Sequence, residues 1–366
     1  MTDVFHLSDF PSCVADCVNG MTGTDNTAAL NAVIASIPAG AELVISPHAA
    51  QGGDGPGYGF VSTLIVDHPI KLTGTSMFSR LVPLAGFNLA APNFHVIEND
   101  YYWEGIEWKG VQIGTSPFNP PFSRNGGDGI FVDGVSIPAM DWTDLMIGES
   151  GNGYGLHITG AGTQHHTVSG GQHDGGIFFD GVADGHIVQN VKAIGGRTPV
   201  SGVRVYMPGA GSFQLKGCPS ITAPGGVVVQ GGSMPVIEDC FFEEEPGYPI
   251  NNYANGGGYN GAVSFVGYPG NVYAGRIVRC IFNIAQSGVG GFDVPGATGY
   301  CINLNPAVHG VANTVIDECE FVLSTNRGYI NSQDPNLTIG ANNKVQPGWL
   351  LMSPGSVAPT QTYAGG

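Results

Sequence analysis

One short phrase recurs along this chain: two apolar residues separated by a single residue, then any residue, then in most copies a glycine. The alternation of apolar residues with others is typical of a β-strand, and the glycine marks a turn. The phrase begins at Ile70, Ile106, Ile130, Leu156, Ile177, Val203, Val227, Val263 and Ile302. Steps of 21 to 39 residues leave no room for crossover helices and match one coil of a solenoid. The spacing therefore predicts an all-β, single-stranded parallel β-helix.

A second repeat supports the same fold. In this pattern an Ile or Val lies a few residues before a Cys, and a Phe lies two residues after it. It occurs at Cys240, Cys280 and Cys319, which are 40 and 39 residues apart. In a solenoid with that step, the three thiols stack about 4.8 Å apart per layer in the interior. We therefore predict a structural role for them, with no metal and no cofactor bound. For Cys13 and Cys17, a disulfide is the alternative to two free thiols.

Composition agrees with a fold made of many turns. The 366 residues include 59 Gly and 25 Pro, while 42% of the residues are apolar and fill a core. The formal net charge of −17 repels polyanions, so we expect no binding to nucleic acid. No apolar stretch is long enough to insert into a membrane. The first residues lack the pattern of a secretory signal peptide.

The repeat divides the chain into three predicted parts. Residues 1–60 form an N-terminal cap with an amphipathic helix followed by the first strand, because an open solenoid end exposes its apolar stack. Residues 61–344 form the β-helix, with long loops at 243–260 and 285–299. Residues 345–366 are predicted to be an extended C-terminal tail rich in Pro and Gly.

The opening of the chain carries a family pattern. Residues 24–34 read TDNTAALNAVI, residues 39–47 read AGAELVISP and residues 70–76 read IKLTGTS. This order of helix, Gly-containing turn, strand ending in Pro and later strand ending in Gly resembles the pectate-lyase-like superfamily. The resemblance implies a right-handed β-helix, a fold of many carbohydrate-active enzymes and of bacteriophage tailspikes, which are commonly homotrimers. It carries over no catalytic residue, because the acidic and basic motifs of polygalacturonases have no match here.

The middle residue of each phrase points away from the interior, so these residues form an outer column. Phe131, His157, Phe178 and Arg204 are consecutive in it and predict an aromatic and cationic strip. Sugar rings stack on such flat faces while their hydroxyl groups stay hydrated, so the strip is a candidate substrate-binding surface for a polysaccharide. The alternative is the inner face of a trimer, which explains the same apolar side chains.

Three aspartates are candidate catalytic acids. Asp133 and Asp180 precede the glycine of phrases that lie two coils apart, hence roughly 9 to 10 Å apart with regular stacking. Inverting glycosidases hold their two carboxylates about 6.5 to 9.5 Å apart, which is compatible with that separation. Asp174 lies at a nearby corner as the third candidate. Turn formation by Asp-Gly explains these residues without any chemistry.

The longest predicted loop, 243–260, combines carboxylates with aromatic rings. Long insertions in a repeat protein often line its binding face. The candidate catalytic residues of this loop are Glu243, Glu244 and Glu245, and its candidate substrate-binding residues are Tyr248, Tyr253 and Tyr259. A run of three Glu is also typical of a solvated charged loop without catalysis.

Together these features predict a phage tailspike-like spike protein, virion-associated or extracellular, that recognises bacterial surface polysaccharide. Its expected partners are the polysaccharide, further copies in a homotrimer and other virion proteins. Any cleavage is expected to be hydrolytic, because 12 basic residues and a negative field suit β-elimination of uronates poorly. The alternatives are a free polysaccharide hydrolase, lyase or fructan transferase of the same fold, and a non-catalytic adhesin or decoration protein.

Overall fold

The chain folds into two compact units, Met1–Gly175 and Gly176–Gly366, both built from short strands in parallel sheets. A computed structural model describes residues 3–17, 22–46, 57–75, 79–97, 103–114, 127–134, 139–148, 153–194, 202–209, 211–222, 226–243, 261–266, 272–284, 300–305, 311–323, 330–345, 352 and 361–363. Residues 244–260 and 285–299, which belong to the two predicted loops, lie outside the described residues.

The first unit contains helix α1 (Thr27–Ser36), a 3-10 helix (Leu7–Asp9) and a series of short strands. The strands are β1 (Val4–His6), β2 (Ala15–Cys17), β3 (Glu42–Ile45), β4 (Gly57–Phe60), β5 (Leu64–Val66), β6 (Lys71–Gly74), β7 (Arg80–Pro83), β8 (Phe94–Ile97), β9 (Glu107–Lys109), β10 (Gln112–Ile113), β11 (Ile130–Asp133), β12 (Asp141–Thr143), β13 (Met146–Ile147), β14 (Leu156–Thr159), β15 (Thr167–Ser169) and β16 (Gln172–Asp174).

The strands of the first unit lie in three sheets. Successive strands along the chain belong to these sheets in rotation, so that three strands make one coil. The sheets have the orders β1-β3-β6-β9-β12-β15, β2-β4-β7-β10-β13-β16 and β5-β8-β11-β14. Neighbouring strands are parallel, except that β2 runs antiparallel to β4. The predicted parallel β-helix architecture is therefore present in this unit.

Aromatic side chains fill the interior of the first unit. Phe94, Trp108 and Trp142 are at most 1% exposed, and successive ring centroids are 5.5 and 5.4 Å apart. The Trp108 indole donates to the Ile70 carbonyl at 3.0 Å, and the Trp142 indole donates to Nδ1 of His166 at 3.2 Å. Both indole N–H groups are thus buried without losing a hydrogen bond.

Helix α1 covers the first coils, which confirms the predicted capping helix. Its sequence contains four Ala, the residue that favours helix most, and Pro38 follows its end. Leu30 and Ile34 of the helix line an apolar cavity together with interior residues such as Leu64 and Trp108. One feature differs from the sequence prediction: strands β1 and β2 precede the helix, whereas the first strand was expected after it.

The second unit consists of strands among its described residues. They are β17 (Ile177–Asp180), β18 (His186–Gln189), β19 (Lys192–Ile194), β20 (Val203–Met207), β21 (Phe213–Lys216), β22 (Ser220–Thr222), β23 (Val227–Gly231), β24 (Val236–Glu238), β25 (Phe241–Glu243), β26 (Gly261–Val266), β27 (Val272–Tyr273), β28 (Arg276–Val278), β29 (Ile281–Ile284), β30 (Tyr300–Asn305), β31 (Val311–Ala312), β32 (Val315–Asp317), β33 (Glu320–Leu323), β34 (Ile330–Ser332), β35 (Thr338–Gly340), β36 (Lys344–Val345) and β37 (Gln361–Tyr363).

Three parallel sheets again make up the coils of the second unit. Their orders are β18-β21-β24-β28-β32-β35-β37, β19-β22-β25-β29-β33-β36 and β17-β20-β23-β26-β30-β34, and β27 pairs with β31 beside them. The register places the same position of each phrase on neighbouring strands, for example Ile177 beside Val203 and Val227 beside Val263. The in-register coils that the repeat predicts are therefore present here as well.

A ladder of buried thiols runs through the second unit. Cys240, Cys280 and Cys319 interact in that order, as the spacing predicts, and Cys218 extends the ladder beyond Cys240. Each thiol follows a corner residue with positive φ: Gly217 (60°), Asp239 (55°), Arg279 (53°) and Glu318 (55°). The repeated corner places each following cysteine in the same interior slot, although the left-handed conformation costs a non-glycine residue roughly 1 kcal/mol or more.

The phenylalanines that follow the ladder also stack. The ring centroids of Phe242 and Phe282 are 4.9 Å apart, and those of Phe282 and Phe321 are 5.1 Å apart, with planes 5° apart in both pairs. All three rings are buried. The alternation of a strand explains the arrangement, because the residue between each Cys and Phe faces the other way.

Described parts of the C-terminal segment continue the sheets. Met352 forms a parallel bridge with Ile330, and β37 pairs with β35 through Gln361 beside Thr338. The sequence predicted an extended tail here, and its described residues pair with strands of their own chain. In the described part of the chain, no helix is long and apolar enough to cross a membrane.

Candidate functional site

The outer face of the β5-β8-β11-β14 sheet carries a row of three rings, which we call the ring strip: His95, Phe131 and His157. The register pairs His95 with Phe131 and Phe131 with His157. The ring centroids are 5.3 and 5.1 Å apart, and all three residues are half-buried. Their strand neighbours face the interior, so the strip lies on the outside of the coil, where the sequence placed Phe131 and His157.

A carboxylate holds one end of the ring strip. Asp128, two residues before β11, accepts a hydrogen bond from Nδ1 of His157 at 2.9 Å and another from the backbone N–H of Tyr154 at 2.7 Å. The Tyr154 ring lies 5.7 Å from the His157 ring. These contacts fix the orientation and the tautomer of the imidazole.

A second carboxylate lies at the other end of β11. The Asp133 side chain is 58% exposed, and its Oδ2 lies 3.6 Å from Nε2 of His95, beyond hydrogen-bond distance. Its neighbours in register are Ile97 and Thr159. Asp133 therefore presents a solvated carboxylate beside the strip.

In the second unit, Phe178 and Arg204 occupy the equivalent outer positions on β17 and β20. The Arg204 guanidinium carbon lies 4.8 Å from the Phe178 ring centroid, and Nε and Nη2 donate to Oε1 of Gln230 at 3.0 and 2.9 Å. Phe178 is 7% exposed. Asp180 lies beside Tyr206 on the same face. This cluster is a second candidate surface, more buried than the ring strip.

The remaining candidate acids lie on other sheets. Asp174 on β16 is buried and accepts a hydrogen bond from Nε2 of Gln172 at 2.9 Å, whereas Asp133 of the same unit lies on β11. Glu243 on β25 accepts a hydrogen bond from the Ser220 hydroxyl. Thus neither unit has two of the described candidate acids on one sheet.

Several sequence-based candidates remain predictions. Glu244, Glu245, Tyr248, Tyr253 and Tyr259 lie outside the described residues. Asp133 belongs to the first unit and Asp180 to the second, so their expected separation also stays a prediction.

Sequence reasoning missed His95 and Asp128. His95 is the middle residue of Phe94-His95-Val96, which has the alternation of the repeat but lacks its terminal glycine. Asp128 precedes Gly129 at the entry to a strand, where an Asp-Gly pair is typical of a turn. Alternation alone, without the glycine, was the available signal for His95.

The described residues give no support for metal or thiol chemistry. No group of three or more His, Cys, Asp or Glu side chains among them is arranged to hold a metal ion. The hydrogen bond to Cys240 and burial raise the pKa of the Cys218 thiol, and burial alone raises the pKa of Cys301. Such thiols stay protonated, which makes them poor nucleophiles and poor metal ligands.

Comparison with solved structures confirms the right-handed parallel β-helix fold. The Dettilon tailspike protein gp208 matches with a TM-score of 0.54 and 12% identity over 96% of this chain and 68% of that chain. DFA-IIIase from Arthrobacter chlorophenolicus A6 in complex with DFA-III matches with a TM-score of 0.56 and 12% identity over 98% and 86%. PfbA, a surface adhesin of Streptococcus pneumoniae, matches with a TM-score of 0.52 and 11% identity over 93% and 84%.

These likenesses show the fold alone, because identities near 12% carry no site residues. The chain spans 59% of the length of a further match, ORF18 of Geobacillus virus E2. Neither protein-family models nor curated protein sequences match this chain. A spike, an enzyme and an adhesin share the architecture, so its function has to be argued from its own surface.

Proposed function

We propose that this protein is a virion-associated spike that recognises a bacterial surface polysaccharide, and that the ring strip binds the glycan. The observation that carries the proposal is the row of His95, Phe131 and His157 on the outer face of a sheet, with ring planes inclined by 40° and 63° and with Asp128 and Asp133 at its two ends. Ring faces pack against the C–H faces of sugars, and carboxylates accept hydrogen bonds from hydroxyl groups. A virion location rests on the resemblance of the opening motif to the superfamily that includes tailspikes.

The ring strip is a better candidate than the cluster in the second unit. Phe178 is 7% exposed and its face is covered by Arg204, so little of that ring is free to stack on a sugar. In the first unit the three rings are half-buried and Asp133 is solvated. A strip on a sheet is also positioned more rigidly than a loop.

Substituting Phe131→Ala tests the proposal. Removing the central ring deletes the stacking surface, so we expect binding to weaken at least about tenfold, which corresponds to about 1.4 kcal/mol. The measurement is calorimetric titration against a panel of purified capsular and O-antigen polysaccharides. Leu89→Ala, at an apolar residue of the same unit that is 38% exposed, is the matched control and should bind normally. No binding by the wild-type protein, or equal binding by Phe131→Ala, would contradict the proposal.

We further propose that the spike cleaves its polysaccharide by hydrolysis, with carboxylates as acid and base. The candidates are Asp133, Asp174, Asp180, Glu243, Glu244 and Glu245. Replacing the true pair singly by Asn or Gln should lower the release of reducing ends by orders of magnitude without loss of binding. If wild-type protein leaves the chain length of a bound polysaccharide unchanged, the adhesin alternative is correct instead.

The homotrimer is also part of the proposal. Sedimentation equilibrium of the purified protein should give three times the chain mass of 37.9 kDa. A monomer that still binds polysaccharide would favour the free enzyme or the adhesin.

A further inference from the structure

We propose that the ring strip selects glycans without acidic groups and rejects polysaccharides that carry uronate or sulfate. This inference rests on the proposed function, because it names the class of glycan that the same surface takes.

Among the described residues, the four strands that carry the strip contain an acidic side chain but neither Lys nor Arg. Strands β5, β8, β11 and β14 contain neither Lys nor Arg. Their ionisable side chains are Asp133 and the two histidines of the strip, and Asp128 lies two residues before β11. An acidic sugar placed on these four strands therefore finds no Arg or Lys of those strands to neutralise it, and Arg is the side chain that suits a carboxylate best.

Two solvated carboxylates line one edge of the strip. Asp133 ends β11, and Asp67 directly follows β5 at the position that continues the same row through Ile97. Their side chains are 58% and 63% exposed. Two coils separate them, hence about 10 Å between backbones. Asp67 also accepts a hydrogen bond from Nδ1 of His68 at 2.9 Å. The pair places two carboxylates along one edge of the rings.

These carboxylates require hydrogen-bond donors from the ligand. Ionised carboxylates accept hydrogen bonds and donate none. Because His95 lies 3.6 Å from Asp133, beyond hydrogen-bond distance, it leaves the acceptor capacity of that carboxylate available. Sugar hydroxyl, amide and amino groups donate, whereas a uronate carboxylate or a sulfate offers further acceptors. The edge therefore matches non-acidic sugars.

The expected discrimination is large enough to measure. A ligand carboxylate about 5 Å from Asp133 is repelled strongly enough to weaken binding about fourfold at the dielectric constant of water and about 250-fold at an effective value of 20. The net charge of −17 adds a long-range repulsion of the same sign. Added salt screens both effects.

The first test sorts the polysaccharide panel by charge. Wild-type protein should bind neutral or amino-sugar polysaccharides. A bound neutral polysaccharide is then oxidised so that its primary CH2OH groups become carboxylates, which changes charge while the ring skeleton stays the same. The oxidised glycan should bind at least about tenfold more weakly at low salt, and the difference should shrink at high salt.

The second test uses substitutions that should change the preference between the neutral and the oxidised glycan. The double variant Asp67→Asn and Asp133→Asn should bind the oxidised glycan at least about tenfold better than wild type does, because the repulsive edge is gone. The double variant Asp3→Asn and Asp9→Asn is the matched control: it removes the same charge from exposed residues of the same unit and should leave the preference unchanged.

The outcomes separate the two proposals. Preference for acidic polysaccharides, or equal affinity for the neutral and the oxidised glycan at low salt, overturns this inference and leaves glycan recognition standing. Binding to no polysaccharide of either class contradicts the proposed function itself.

Discussion

At the scale of single residues, one asparagine ties three segments of the first unit together. Asn26, which directly precedes α1, is 1% exposed. Its Oδ1 accepts a hydrogen bond from the Val14 N–H at 2.6 Å. Its Nδ2 donates to the carbonyls of Val14, Thr24 and Gly59 at 2.9, 2.9 and 3.1 Å. This network gives the opening motif a structural explanation, because the asparagine fixes the capping helix to the first coils.

Substituting Asn26→Ala should destabilise the protein by about 2 to 4 kcal/mol, because several buried backbone groups lose their partners. Chemical denaturation followed by circular dichroism measures the free energy of unfolding. Asn88→Ala is the control: among the described residues, this exposed side chain accepts only one solvated hydrogen bond, from the Ala90 N–H at 3.1 Å, so the energy should change by less than about 1 kcal/mol. Equal effects of the two variants would show that the network does not hold the cap.

A second residue makes stability depend on pH. His173 is fully buried, and neither of its ring nitrogens has a hydrogen-bond partner among the described residues. Burial lowers the pKa of this imidazole to about 3 from an ordinary value of 6.5. Between these two pKa values, the imidazole therefore binds a proton in the unfolded chain but not in the folded chain. The stability that follows is complete above about pH 6.5 and is lost as the pH falls towards 3.

The variant His173→Leu should remove this dependence. Below about pH 6.5 the wild-type protein loses about 1.4 kcal/mol of unfolding free energy per pH unit from this group, and the variant should lose that much less. Denaturation midpoints between pH 7 and pH 4.5 measure the difference. The same substitution at exposed His6 is the control and should leave the slope unchanged. Parallel curves for wild type and His173→Leu would contradict the assignment.

At the scale of elements, strand alternation decides which side chains build the core. On β29, Phe282 lies in the stack of three rings, while its neighbour Ile281 is 40% exposed. The neighbouring strands repeat this arrangement, with Phe242 and Phe321 in register with Phe282.

Phe282→Ala should therefore cost about 3 to 5 kcal/mol of unfolding free energy, because it leaves a cavity between two rings. Ile281→Ala, one residue away on the opposite face, should cost less than about 1 kcal/mol. Chemical denaturation of both variants measures the contrast. A larger cost for Ile281→Ala would mean that the strand faces the other way.

Elements with a clear repeat were predictable, and elements without one were not. The alternation with a terminal glycine located β11, β14 and β17, and the Cys-x-Phe spacing located the thiol ladder. Strands β1, β2 and β37 lack the repeated phrase, and they form by pairing with neighbouring strands. Cys218 belongs to the ladder but was not predicted, because the residue two positions after it is not the phenylalanine found in the other copies.

For the molecule as a whole, the fold does not determine the function. Matches at 11 to 12% identity include a tailspike, an enzyme and an adhesin, so architecture leaves the activity open. The sequence placed Phe131 and His157 beside each other, because a regular repeat predicts register. It did not place Asp128 against His157, because that contact depends on side-chain geometry at the entry to a strand. The composition shows the net charge of the chain, whereas the placement of the acidic side chains around the rings follows only from the structure.

The most direct test is a crystal structure of the protein with an oligosaccharide cut from a polysaccharide that it binds. The account predicts sugar rings packed against Phe131, with hydroxyl groups within hydrogen-bond distance of Asp133. Sugar bound instead to Phe178 and Arg204, or to another face with the ring strip empty, would contradict it.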